Sequence, residues 1–198
     1  MTRLPAAQRR QAVLETACRT FCEGSYHGTT TAEIAREAGV SEPILYRHFP
    51  SKHELYLACL GEAWLRLSEV WDGALEREDD PREWIPAIVR AYTAARGRLH
   101  LVDLWMQALA EAYDDPEIAA FVRDQIREVH EYVRSVIERA QEAGAVVADR
   151  DARAEAWIVI SLGLLGSIGR RLGGLLGDDF ERVSASRRRW MLGDIENL

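Results

Sequence analysis

Cysteine is scarce in this 198-residue chain, which holds three: Cys18, Cys22 and Cys59. An odd count without a paired framework argues against a disulfide-stapled secreted scaffold and for a reducing compartment. An excess of positive charge is also missing. With 25 Lys/Arg against 32 Asp/Glu, the net charge is −7, which excludes a polycationic nucleic-acid coat and makes any DNA contact local. The N-terminal stretch MTRLPAAQRRQAVLETA lacks the apolar core of a signal peptide. The longest apolar run, residues 157–168, is 12 long and includes two glycines and two serines, which is short for a bilayer. The expectation is a cytoplasmic protein with no membrane partner. Enzyme signatures are wanting too: no HExxH, CxxC, GxSxG or phosphate-binding glycine loop occurs, and the five histidines have no metal spacing. No catalytic residue, metal or cofactor is expected.

What is present is concentrated in residues 30–52, TTAEIAREAGVSEPILYRHFPSK. Thr31 is placed to cap a helix over 32–38. Gly39 supplies the positive φ a turn needs. Ser41 is a second N-cap, and Pro43 falls in a first turn that needs no N–H from it. Ile34, Ala35, Ala38, Val40, Leu45 and Phe49 form the apolar set, and small Ala35 lets two helices approach. This is the layout of a helix-turn-helix, whose second helix enters the major groove. Charge is distributed accordingly: residues 1–55 hold seven Lys/Arg and six Asp/Glu, leaving 18 and 26 to the remainder. A near-neutral head is thus joined to an acidic body.

The spaced pattern of Thr, Ile-Ala, Gly-Val-Ser, Leu-Tyr-x-His-Phe and x-x-Lys closely resembles the N-terminal domain of TetR-family transcriptional regulators, over roughly residues 8–60. The resemblance implies a homodimer on a palindromic double-stranded DNA operator, usually a repressor, released when a small molecule enters the C-terminal domain. It places Thr31, Tyr46 and Lys52 at phosphates. Ser41, Glu42, Pro43, Ile44 and His48 fall along the face or edge that meets the groove, and Arg47 at a variable position that often touches DNA. Ile44 departs from the small or hydroxylated residue usual there and offers apolar contact, as to a thymine methyl. Glu42 is open to two readings: an acceptor for cytosine N4, or a charge favoured by the helix dipole. Arg3, Arg9 and Arg10, at the start of a helix over 6–23, are open to phosphate contact or simple solvation.

Helical spacing continues over 52–78, 82–97, 99–113, 117–143, 152–174 and 180–192. The expectation is an all-α protein of about nine helices, with a DNA-binding domain at 1–50 and a ligand-binding and dimerisation domain at 51–198. Segment 152–174 is apolar on nearly all sides and so is expected to be buried on nearly all sides. Gly163, Gly166, Gly169 and Gly173 share about 120° of its circumference at roughly 100° per residue, which suits close approach of another helix. With Trp190 on the last helix, they are read, partly on the family resemblance, as a four-helix dimer interface, the other reading being a helix buried within its own chain; in the dimer, Arg170, Arg171 and residues 187–189 are rim charges, although a basic run also suits nucleic acid. A cavity for a small apolar or aromatic effector is expected among Trp64, Trp71, Tyr92, Trp105, Met106 and Tyr113, with His100, Asp103, Gln107 and His130 as polar groups. Each of these is open to a plain core role. The cysteines are read as small hydrophobes rather than sensors.

Overall fold

The computed structural model describes residues 5–99 and 101–194, and the side chains of 5–95 and 104–194. Arg3 and the side chains of His100 and Asp103 lie outside that description.

Among the described residues there are nine α-helices: α1 (Ala6–Glu23), α2 (Thr31–Glu37), α3 (Glu42–His48), α4 (Lys52–Leu75), α5 (Trp84–Leu99), α6 (Leu101–Glu111), α7 (Pro116–Glu142), α8 (Ala152–Arg171) and α9 (Asp179–Leu192). A 3-10 turn, Pro81–Glu83, precedes α5. Pro86 is the third residue of α5, inside the first turn, where no intrahelical N–H bond is lost. Gly97 does not close α5 as expected; the helix runs on to Leu99.

The described chain divides into two compact units. The first takes the chain up to Leu67 together with Arg96–Gln125; the second takes Ser68–Ala95 and everything from Ile126 onward. The head expected at 1–50 falls within the first unit, with the start of α4, α6 and the start of α7.

In the first unit, Val13, Leu14, Ala17 and Phe21 of α1 are buried with Ile34 and Ala35 of α2, Leu45 of α3 and Leu55, Tyr56, Cys59 and Leu60 of α4. The Phe21 and Tyr56 rings meet edge to face at 5.1 Å, and the Tyr56 hydroxyl donates to the Leu104 carbonyl at 3.4 Å. Burying each large apolar side chain stabilises by about 1.5–3 kcal/mol, so this cluster holds the short α2 and α3, which could not persist alone. Cys18 and Cys59 are buried among it. Burial and the neighbouring Cys18 push the Cys59 thiol well up, consistent with an inert hydrophobe.

In the second unit, Val129, Val133, Val136, Ile137 and Ala140 form the buried line of α7. α8 differs from expectation. Asp151 caps it by accepting from the Arg153 and Ala154 amides at 2.9 and 3.2 Å. The helix stops at Arg171, three residues early, because Gly173 and Gly174 take left-handed φ of 70° and 83°. Its own chain does not cover it on all sides: Trp157 is 43% exposed, Ile158, Leu165 and Ile168 are also exposed, and so is Leu172 just after the helix. By length and composition alone α8 could cross a membrane, which the 12-residue run did not suggest; small Ala, Gly and Ser extend its apolar length. Such a helix is also what an assembled protein's core contains.

Gly166 and Gly169 make room for their own chain. A Cβ at Gly166 would lie 2.8 Å from the Phe180 ring, and one at Gly169 2.9 Å from Leu176. Gly163 and Gly173 face no atom within 4 Å. Arg187 pairs with buried Glu155, and Arg188 with Glu83, so two of the three arginines at 187–189 are engaged by acids in their own unit rather than standing as rim charges. Trp190 lies under the Arg150 guanidinium, 3.8 Å from the ring centroid.

Candidate nucleic-acid interface

Helix α2 is capped one residue earlier than expected. Thr30 accepts from the Glu33 amide at 3.2 Å, which leaves Thr31 as the first helical residue, buried. At the other end Gly39 has φ 67°. The Val40 amide returns to the Ala35 carbonyl at 3.0 Å, a closure that needs a left-handed residue at Gly39. Ser41 then occupies the N-cap position of α3, but its side chain makes no capping bond; its carbonyl accepts from the Ile44 and Leu45 amides at 2.9 and 3.1 Å. Leu45 is fully buried and turns the opposite face of α3 outward.

That outward face carries exposed Ser41, Pro43, Tyr46 and Arg47, with Glu42, Ile44 and His48 half-buried along its edges. Tyr46 is 42% exposed. The structure thus brings together the α3 residues expected to meet DNA. Thr31 joins them by hydrogen bonds: its hydroxyl lies 2.6 Å from Glu42 Oε1 and 2.9 Å from the Tyr46 hydroxyl.

The edge of the face is basic. Arg10 lies over the Phe49 ring at 4.7 Å. Desolvation, then the charges of Arg47, Arg9 and Arg10, hold His48 below the usual imidazole range. Its Nε2 is buried and has no hydrogen-bond partner among the described residues. Arg9 and Arg10 therefore stand beside the end of α3, which spacing along the chain could not show.

Lys52, the chain's single lysine, opens α4 behind a cap in which Ser51 accepts from the Glu54 amide at 3.0 Å. Its Nζ sits 4.7 Å from the centroid of the Tyr26 ring. Desolvation lowers its proton affinity, and the charge of Glu111 opposes that. Tyr26 is half-buried; its phenol is raised by burial, then by Asp115 and Glu111.

The residues expected to line an effector cavity are divided between the two units. In the first, Trp64, Trp105 and Met106 are half-buried, and Gln107 donates to the Gly24 carbonyl at 3.3 Å. Tyr113 is 91% exposed in the turn after α6 and lines nothing in the chain as described, because α6 ends at Glu111. In the second, buried Trp71 packs its ring 5.1 Å from Tyr132, and the Tyr92 and Ser167 hydroxyls are 3.0 Å apart. His130 is buried, with Nε2 2.9 Å from the Arg153 carbonyl and its ring stacked on Trp157 at 4.2 Å. Sequence reading passed over Tyr132, whose hydroxyl donates to Asp72 at 2.6 Å. No group of three or more His, Cys, Asp or Glu able to hold a metal occurs among the described residues.

A family model described as "Bacterial regulatory proteins, tetR family" matches residues 13–59. A second, "BetI-type transcriptional repressor, C-terminal", matches residues 81–163. The chain belongs to the TetR family. Among curated TetR-family relatives, it is similar to the transcriptional activator FasR of Mycolicibacterium smegmatis, 42% identical over 90 residues, 46% of this chain and 41% of that one. It is similar to the regulator BetI of Brucella anthropi, 28% identical over 123 residues, 62% of this chain and 63% of that one. The match therefore spans less than two thirds of either relative. A solved regulator from Saccharomonospora viridis in complex with choline superposes with a TM-score of 0.76 at 25% identity, covering 95% of each chain. These relatives are named regulators, not enzymes.

Proposed function

We propose that this protein is a sequence-specific DNA-binding transcriptional regulator, a repressor released from its operator by a small apolar or aromatic ligand. The observation that carries the reading is the outward face of α3. Ser41, Pro43, Tyr46 and Arg47 are uncovered on a helix locked from behind by Leu45, with Arg9 and Arg10 beside its end and Lys52 opening the next helix. A helix anchored apolar-side in and polar-side out beside a basic rim suits a major groove flanked by phosphates. The BetI-type match over residues 81–163 supports repression; the likeness to the BetI relative runs over 123 residues and that to the activator over 90.

The protein acts as a cytoplasmic homodimer in this reading. The exposed apolar side of α8, with α9, is the surface for a second copy, and Gly163 and Trp190 stand on it. A dimer fills both half-sites of a palindrome only when its recognition helices are one DNA turn, about 34–36 Å, apart. An effector that binds better to a differently spaced state lowers operator affinity by that difference. The half-buried and buried aromatics of the body favour an apolar or aromatic effector; choline in the S. viridis regulator illustrates a small molecule held by this fold. A division of labour at about residue 50, head before and body after, follows. No catalytic role is proposed.

The test is selection of bound duplexes from random DNA. Wild type should enrich a palindromic site. Tyr46→Ala and Lys52→Ala should each weaken that site by about tenfold, roughly one lost charge-assisted contact, with the fold unchanged by circular dichroism. No enriched sequence for wild type would defeat the reading.

A further inference from the structure

We propose that Glu42 is an internal competitor for the DNA backbone, a specificity-determining residue that occupies the Thr31 and Tyr46 hydroxyls in the free head. The inference rests on the DNA-binding reading above.

The direction of the protons follows from the inventory of donors. A carboxylate only accepts, so at 2.6 Å the Thr31 hydroxyl donates to Glu42 Oε1. A threonine hydroxyl has one proton. With it spent on Glu42, the 2.9 Å contact to Tyr46 requires the phenol to donate to Thr31. The chain therefore runs from Tyr46 through Thr31 to the carboxylate. Both hydroxyls assigned to phosphates are already donating inward, and the acceptor at the end of the relay is an anion, as a phosphate is.

A phosphate that accepts from either hydroxyl has to break this relay and approach an uncompensated carboxylate. Like charges a few ångströms apart at a surface lower affinity by about tenfold. The penalty applies to any backbone. It is relieved only when Glu42, at the start of α3, finds another donor. A fully seated recognition helix places that position against base edges, where a cytosine amino group is such a donor. Loosely bound, non-specific DNA leaves the helix short of the groove and offers only phosphates. Glu42 thus weakens non-specific binding more than operator binding, at the cost of some total affinity.

The experiment starts from a duplex selected by wild-type protein from a random library and a scrambled duplex of the same composition. Affinities for both are measured by fluorescence anisotropy for wild type, Glu42→Gln and Glu42→Ala, each checked for an unchanged thermal midpoint. The scrambled duplex should bind about tenfold tighter to Glu42→Ala. The gain should be smaller in Glu42→Gln, which keeps an acceptor for Thr31 without the charge. The ratio of selected to scrambled affinity should fall in both. The decisive readout is coupling to Tyr46. Tyr46→Phe should weaken scrambled binding little in the wild-type background, where the phenol proton is already committed, and several-fold in the Glu42→Ala background. Removal of a negative charge acting only at long range would give additive effects. Additive effects, or an unchanged ratio, overturn the inference while leaving the DNA-binding reading intact. If wild type selects no sequence, both fall.

Discussion

Asp115, in the turn before α7, accepts from the Glu117 and Ile118 amides at 2.9 and 3.1 Å and faces His53 Nε2 at 3.1 Å. The Ile118 amide, then the Glu117 amide and His53, hold its carboxyl below the usual carboxylate range against the opposing effect of burial. A depressed folded-state value means that the unfolded chain takes up the proton first. The stabilisation is present above the unfolded value and disappears as pH falls through the folded one. Asp115→Ala should therefore lose about 1 kcal/mol at pH 7, as helix caps do. In urea titrations the gap to wild type should be constant above about pH 4 and narrow progressively below it, closing only as pH falls through the depressed folded value. A gap that does not narrow at all below about pH 4 would show that the carboxylate is not the cause. At this scale sequence alone is weakest. Sequence places the α2 cap at Thr31, and the structure gives it to Thr30. The Glu42–Tyr46 spacing of four is legible on a helix, but the arrival of Thr31 from another helix is not.

The elements themselves were largely legible. α1 (Ala6–Glu23) begins and ends where its apolar period places it, and α3 (Glu42–His48) begins where Gly39 and Pro43 place it, because glycine admits the left-handed turn before α3 and proline fits only a first helical turn. α8 was legible as apolar and not as exposed: hydropathy reports what a helix avoids and not what covers it. Its glycines separate two causes. Gly166→Ala should destabilise the protomer by about 1–3 kcal/mol, because the new methyl meets the Phe180 ring. Gly163 has open space, so Gly163→Ala should leave protomer folding intact or slightly improved, by up to about 1 kcal/mol. In the proposed homodimer it should instead weaken self-association, read by sedimentation. Unchanged association of Gly163→Ala would remove that glycine from the interface.

For the molecule as a whole, charge and helix count announce an all-α protein with a reading head, while the body's purpose is less legible. Aromatic content marks a core and a cavity alike, and Tyr113, which looked like lining, stands in solvent. The exposed flank of α8 adds a consequence for dosage. A chain released singly from the ribosome carries Trp157, Leu165, Ile168 and Leu172 against water, and large exposed apolar patches invite aggregation and proteolytic capture. In the homodimer reading, survival of the chain is tied to meeting a second copy. In the homodimer reading the thermal midpoint should rise by about 1–3 °C for each tenfold increase in protein concentration; scans across micromolar dilutions measure it, and a midpoint independent of concentration would detach stability from assembly. A regulator built this way has a floor on its copy number, below which newly made protomers are cleared before they can pair.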